Sequence, residues 1–390
     1  MDIKISQRLE SLPTYAFAAI TQHVAQVESR GHSVIRLDMG SPDMPPPQIV
    51  LDAMNASAAD PAHHGYQGYQ GIKALREAFR DYYGRRFEVE LDADREILPL
   101  IGSKEGIVNI GLALLNPGDV VLVPDIAYPA YASGAHLASA QVFDYRLDAE
   151  RGFLPDLTSI PADILRRARL MWINYPHNPT GAVITLDELA NVVEFCQEHE
   201  IVLCSDNPYC DIAFDGFKPP SLLEIPGAVE IGVEFNSISK TFNMAGWRIG
   251  VCAGNASLVS ALLRVKSNID SGMFRVLQDA ACVALNQITE DWIAERNAVY
   301  QRRRDIVLRN ASKAGLEADV PRGGLYVWAK VLHGDDEQYA HDALENAYVS
   351  VTPGRVYGEH GKGYVRISLV TSETQMQTAM DRLAGLNGKG

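Results

Sequence analysis

The sequence predicts an α/β protein, a mostly parallel sheet between helices joined to a smaller α+β unit, and three observations carry that prediction. From about residue 95, short and almost wholly apolar runs alternate with helical patterns, the texture of strands covered on both faces. After about residue 280 the alternation stops, and one long charged helix leads into two further strands. A chain of 390 residues, 47% hydrophobic and 22% charged, is too long for one ordinary domain and too apolar to be disordered.

The helical spacing of SLPTYAFAAITQHVAQVESRG ends at Gly31, a residue suited to a helix C-terminal cap. SVIRLDMG then reads as a strand that runs into the proline-rich turn from Ser41 to Pro47. The strand candidates of the larger unit are EILPLIG, DVVLVPD, QVFDYRL, RLMWINY, EIVLCSD, VEFNSIS and RIGVCAG. Ahead of the apolar pattern LANVVEFC, Thr185 and Glu188 have the spacing of a capping box. In the last third, the helix ITEDWIAERNAVYQRRRDIVLRNASKAG precedes strands around GLYVWAKV and YVRISLV. The expected organisation is an N-terminal segment, residues 1–44, packing with a small domain of residues 283–390, around a large domain of residues 45–282.

Composition excludes several functions. A formal charge of −14 disfavours a nucleic-acid binder, which needs a basic face. No apolar stretch approaches the ~20 residues of a membrane-spanning helix, and MDIKISQRLESLPTY lacks the apolar core of a secretory signal. Five cysteines without a CxxC pair suggest free thiols in a reducing, cytoplasmic compartment. His63 and His64 lack zinc-ligand spacing, so no metal site is expected. Neither a GxGxxG turn after the first strand nor a GxxxxGK[ST] loop is present, which sets a nucleotide-dependent oxidoreductase aside.

In open α/β sheets ligands bind beyond the carboxyl ends of the strands. There, EILPLIG runs into Gly102-Ser103-Lys104-Glu105-Gly106 and an apolar helix. Backbone N–H groups at that helix start, with Ser103 and Lys104, would cradle a phosphate. A capped helix with a solvated lysine would read the same way. RLMWINY ends in a loop whose two prolines and glycine present Asn178 in a fixed direction, or simply make a turn. EIVLCSD closes on Asp206, followed by Tyr209; a buried acid needs a cationic partner, whether a salt bridge or a protonated ring nitrogen. Past another strand, Lys240 stands between Ser239 and Thr241, with Arg248 eight positions on. It is either an ordinary paired lysine or an amine nucleophile toward an aldehyde. Together, a phosphate cradle, a carboxylate, an amide, a phenol and an isolated lysine are the parts that pyridoxal phosphate requires.

The ordered strings NYPHNPTG, SDNPY and SISKTFNMAGWRIG resemble the signature set of class I/II aminotransferases of fold type I. GSPD at 40–43, YQGYQG at 66–71 and GYVRISL at 363–369 fall in the expected order, so the likeness spans nearly the whole chain. It implies a seven-stranded, mostly parallel sheet and pyridoxal 5'-phosphate as cofactor. Lys240 would bond the cofactor and carry the proton. Asp206 would pair with the ring nitrogen, Asn178 and Tyr209 with the ring oxygen, and Tyr128 would stack on the ring. Ser103, Lys104, Ser237, Ser239 and Arg248 match the phosphate set. Tyr66 matches a tyrosine given by a neighbouring subunit, which implies a homodimer. Arg366 matches the arginine that forks onto the substrate α-carboxylate, a geometry lysine cannot copy. Gly40 and Tyr15 would face the substrate.

The chain is most similar to the LL-diaminopimelate aminotransferase group, through GSKEGI and LPTYAFAAI. It departs from the pattern at His177, where asparagine is commoner, and at Lys362, where glutamate is. The implied activity is transfer of an amino group from an L-amino acid to a 2-oxo acid by a ping-pong mechanism, of the LL-diaminopimelate type or of the alanine, aspartate or aromatic type that this group also resembles. A β-eliminating lyase or related synthase on the same scaffold is the alternative, and a catalytically silent regulator a more distant one.

Overall fold

The computed structural model describes residues 3–10, 12 and 16–387. Its strands, in chain order, are β1 (Ile35–Arg36), β2 (Ile97–Leu100), β3 (Val120–Pro124), β4 (Gln141–Tyr145), β5 (Leu147–Asp148) and β6 (Leu154–Pro155). There follow β7 (Ala168–Ile173), β8 (Val202–Asp206), β9 (Gly232–Ser237), β10 (Gly250–Gly254) and β11 (Leu316–Ala318). The last are β12 (Tyr326–Val331), β13 (Val349–Ser350), β14 (Thr352–Pro353) and β15 (Tyr364–Ser368).

Seven strands form one sheet in the order β2-β10-β9-β8-β7-β3-β4. All run parallel except β10, which is antiparallel to both β2 and β9. The inner strands are buried along almost their whole length because helices cover both faces. One face packs on the helices Ser103–Leu114, Ala130–Leu137 and Ala256–Lys266, through a core that includes Leu122's neighbours Val121 and Val123, with Trp172 and Phe235. The other meets Lys73–Phe87 and Arg275–Gln287 on one side and Leu186–Glu198 on the other. That last helix starts on a complete capping box: the Glu188 N–H donates to the Thr185 hydroxyl, and the Thr185 N–H donates to the Glu188 carboxylate at 2.8 Å.

Two strands differ from a uniform reading of apolar runs. β4 is the sheet's edge, and its first four residues are exposed or half-exposed. β10 is reversed, which puts its first residue, Gly250, beside Ser237 and Leu100 at the carboxyl ends of its neighbours. The reversal carries Arg248 to the same edge as the other strand ends.

A second sheet, β11-β12-β15-β14, is antiparallel throughout. Its core contains Tyr300 and Val307 from the helix Glu290–Asn310 and Met376 and Leu383 from Glu373–Asn387. β1 pairs in parallel with β13, Ile35 opposite Val349, so two segments more than three hundred residues apart are bound together. Gly31, at φ 91, closes the helix Ala16–Ser29 ahead of β1.

Candidate active site

The carboxyl ends of β2, β3, β7, β8 and β9, the start of β10, the strand β15 and the N-terminal helix border one cavity of 740 Å³. It is lined by Gly40, Ser103, Lys104 and Tyr128, by Asn178, Asp206, Tyr209 and Ser237, and by Ser239, Lys240, Arg248 and Arg366. Twelve of the fourteen residues singled out from sequence therefore meet in one place. Tyr66 does not line it; that side chain is 95% exposed on its own chain. Tyr15 lies outside the described residues.

At one end is an anion cup. β2 stops at Leu100, Gly102 turns the chain at φ 76, and Ser103 opens a twelve-residue helix whose first N–H groups lack helical partners. Gly102 suits its place: its φ is positive, and a Cβ would push the Arg248 guanidinium aside. Arg248 is itself held at φ 58, with Nη1 donating to the Ala245 carbonyl at 2.9 Å. The Ser237 hydroxyl caps the short helix Ile238–Thr241 by accepting from the Ser239 N–H at 3.2 Å. The Ser239 hydroxyl is buried and has no hydrogen-bond partner among the described residues. The Lys104 ammonium sits 5.8 Å from the centre of the Tyr128 ring.

In the middle stand Lys240 and Asp206. The Lys240 amine donates to the Gly40 carbonyl. Burial, then the positive charges of Arg366 and Arg248, bring it down to about 8 against the pull of Asp206. Asp206 ends β8 and is buried; Tyr131 donates to its Oδ2 at 2.7 Å, while Oδ1 has no partner among the described residues. Burial pushes this carboxyl up to about 7, opposed by the Tyr131 bond and by Lys240 and reinforced by Glu234. Tyr131 stacks on Trp172 with ring centres 4.9 Å apart, which fixes its hydroxyl.

At the other end Arg366 projects from β15, only 3% exposed. Its Nη1 donates to the Asn178 side-chain oxygen at 3.0 Å and its Nη2 to the Asp38 carbonyl at 2.6 Å; Nε has no partner among the described residues. The rings of Tyr326, Tyr357 and Phe17 lie 4.1, 5.2 and 5.7 Å from its guanidinium carbon. No carboxylate stands within 4 Å of it among the described residues. A buried guanidinium without an anion is half of an ion pair.

Sequence reasoning gave no role to Asn174, Tyr131 or Tyr326. Asn174 opens the NYPHNPTG string; its Nδ2 donates to the Asp206 carbonyl at 2.6 Å and its Oδ1 accepts from the Asn178 N–H at 2.8 Å. Tyr131 lies three positions past Tyr128, in DIAYPAY at 125–131. Tyr326 carried no signal at all, yet its hydroxyl shares a 3.0 Å bond with that of Tyr209, 117 residues away. His177 is buried behind the loop and bonded to the Thr180 hydroxyl at 2.7 Å; burial pushes it down to about 3, so it is neutral. Lys362 is half-exposed and paired with Glu359.

The fold and this cavity define a pyridoxal-phosphate enzyme. Residues 32–383 match the model of the family described as aminotransferase class I and II, and the chain belongs to that family. It is 45% identical to an LL-diaminopimelate aminotransferase of Dehalococcoides mccartyi, over 99% of this chain and 100% of that protein. It is 47% identical to one of Desulforudis audaxviator, over 98% of each. Among solved structures, apo BacF from Bacillus subtilis superposes with a TM-score of 0.95 at 36% identity, covering 99% of both chains. The aspartate aminotransferase of Thermus thermophilus with maleate gives 0.91 at 28% identity, over 99% of this chain and 100% of that one.

The chain is a transaminase dependent on pyridoxal phosphate. Its residues fit that cofactor: the unpartnered Asp206 Oδ1 and Ser239 hydroxyl are open to a ring N–H and to a phosphate oxygen, and Gly102 leaves the cup free of a side chain. The relatives carry aminotransferase names, which leaves elimination without support. Among the described residues there is no helix long and apolar enough to cross a membrane and no metal-binding cluster.

Proposed function

We propose that this transaminase takes LL-diaminopimelate as amino donor and a 2-oxo acid as acceptor, with the twelve cavity residues in the roles their chemistry suits. The observation that carries the reading is the joint placement, round one cavity, of an amine brought down to about 8, a carboxylate with a free oxygen and a buried arginine without an anion. The choice of donor rests on the relatives' names.

Ser103, Ser237, Ser239, Lys104 and Arg248 would hold the cofactor's phosphate, and Tyr128 would lie against its ring. Asp206 would keep the ring nitrogen protonated, while the Asn178 amide and the Tyr209 hydroxyl reach the ring oxygen. When bound, pyridoxal phosphate supplies an electron sink for the pair left when the substrate Cα–H bond breaks. Arg366 would grip the α-carboxylate in a bidentate fork, assisted by Asn178 and the backbone of Gly40. That grip sets the Cα–H bond toward Lys240, whose Nζ takes the proton and later returns it. In the second half-reaction the same groups act in reverse order on the oxo acid.

Tyr66 would complete the phosphate site of a second copy in a homodimer. Its exposure supports this, as does the apolar surface round it: Tyr69, Ile269 and Phe274 are exposed, and Gly272 is pressed against the Gln67 carbonyl. Five free cysteines, four of them buried, fit a reducing cytosol. The test is a panel of amino acids with several 2-oxo acids, read by the absorbance change of the cofactor. Fastest conversion of LL-diaminopimelate supports the reading; inertness toward it with turnover of another donor overturns the choice of substrate. Sedimentation of the Tyr66→Phe variant as a dimer with weakened cofactor affinity would support the shared site, and sedimentation of the wild type as a monomer would remove it.

A further inference from the structure

We infer that Glu234, on the far side of the sheet from the cofactor, is the positioning residue that holds Asp206 against the ring nitrogen. The inference rests on the assignment of Asp206 made above. Glu234 lies in β9 opposite Ser205, while Asp206 lies opposite Phe235. Side chains alternate along a strand, so Glu234 and Asp206 point to opposite faces. Glu234 is 0% exposed, and no lysine, arginine or histidine nitrogen lies within 4 Å of it among the described residues. A buried acid with neither water nor a cation is expensive unless every oxygen is answered.

Here every oxygen is answered. The Tyr83 and Ser221 hydroxyls both donate to Oε1 at 3.0 Å. The Leu222 N–H donates to Oε2 at 2.9 Å and the Asn207 amide at 3.2 Å. Two hydroxyls on Oε1 and two nitrogens on Oε2 fill the acceptor sites of an ionised carboxylate, and the Ser205 hydroxyl stands a further 3.5 Å from Oε2. These donors come from the helix Lys73–Phe87, the turn at Leu222–Glu224 and the residue that follows Asp206. Asn207 is further fixed by its N–H to the Phe235 carbonyl at 2.8 Å and its amide to the Pro220 carbonyl at 3.2 Å. Asp206 is thus pinned from both sides, by Asn174 in front and by Glu234 through Asn207 behind. Burial raises the Glu234 carboxyl and these hydrogen bonds pull it back, while its charge in turn raises Asp206.

An amide in place of this carboxylate holds Asn207 less tightly: its oxygen can accept from the Leu222 N–H and the Asn207 amide while the Tyr83 and Ser221 hydroxyls turn to accept from its N–H groups, but those bonds lose the charge that strengthens them. The test compares pyridoxal phosphate with the carbocyclic analogue whose ring nitrogen is replaced by CH, which gives Asp206 nothing to bind. Affinities are read on full-length protein stripped of cofactor, by quenching of Trp172, which stacks on the tyrosine bonded to Asp206. Glu234→Gln is expected to lose about tenfold in affinity for pyridoxal phosphate, equivalent to about 1.4 kcal/mol, and to bind the analogue as the wild type does. Asn207→Ala removes the link while sparing the other donors, and is expected to show the same selective loss should Glu234→Gln not fold. Equal weakening of both compounds in the two variants would overturn the inference, because a merely structural role does not discriminate between them. Asp206→Ala separates the two readings. If it keeps the preference for pyridoxal phosphate, the Asp206 assignment falls; if it loses that preference while Glu234→Gln and Asn207→Ala keep it, only Glu234 is wrongly assigned.

Discussion

The two arginines at opposite ends of the cavity are built in contrasting ways. Arg248 belongs to the large sheet's edge, on a left-handed backbone at φ 58 just ahead of β10, and one carbonyl holds it. Its position is set by the fixed strand next to it and by a glycine that leaves room. Arg366 belongs to the second sheet, is 3% exposed, and is held by two oxygens and wrapped by three aromatic rings. Neither of its partners is charged. On the roles proposed above, the contrast teaches that a cup for a resident group can be made by backbone geometry, whereas a grip for a group that comes and goes needs a desolvated charge kept waiting. The neutral oxygens on Arg366 take one donor from each of its Nη atoms and leave its charge uncancelled.

Lys240→Ala lies between the two ends and should produce the largest effect. Turnover is expected to fall on the order of 10⁴-fold while the apo protein keeps its circular dichroism; substantial remaining activity would displace Lys240 from its role. Arg366→Lys comes next. It should lower kcat/KM for the amino donor by about 100-fold, or about 2.7 kcal/mol, with cofactor affinity little changed. Arg248→Ala should do the reverse, weakening the cofactor by about tenfold with KM for the donor nearly constant. If the two variants affected both ligands alike, the ends would not be separate sites.

A subtler variant, Gly102→Ala, places a methyl group against Arg248 on a backbone at φ 76, and costs about 1–2 kcal/mol from the conformation alone. Its cofactor affinity should fall less than that of Arg248→Ala. The smallest effect concerns pH. In the apo protein Lys240 titrates at about 8 rather than at the ordinary lysine value of 10.5. Only the deprotonated amine attacks an aldehyde, so its labelling rate should rise through pH 8 and level off above it. Arg366→Gln removes the larger of the two charge contributions and should move that midpoint upward. The linkage has the same sign: between 8 and 10.5 the unfolded chain binds more protons at this residue, so its contribution to stability improves as pH rises across that window.

The strands and the residues at their ends were open to a reading of sequence because each is a local signal. An apolar run closes on Asp206, another leads to Lys240, and Gly102 precedes a helix start within a few positions. What escaped the reading is carried by distant partners. Tyr326 reaches Tyr209 across 117 residues, and Tyr131 reaches Asp206 across 75. The reversal of β10 left no mark in RIGVCAG, since an apolar strand buried on both faces reads alike in either direction. The exposure of β4 follows from its place at the sheet's edge, which no single run can report. The order of the site along the chain was legible; its cross-bracing was not.

The bond between Arg366 and the Asp38 carbonyl spans 328 positions. During synthesis the ribosome releases Asp38 and Gly40 long before Arg366. The proposed carboxylate grip therefore forms only after those 328 positions have emerged, and the β1 segment has to wait in the same way for β13. A pocket closed by segments this far apart along the chain should assemble late, with the slow folding that contacts so remote in sequence impose.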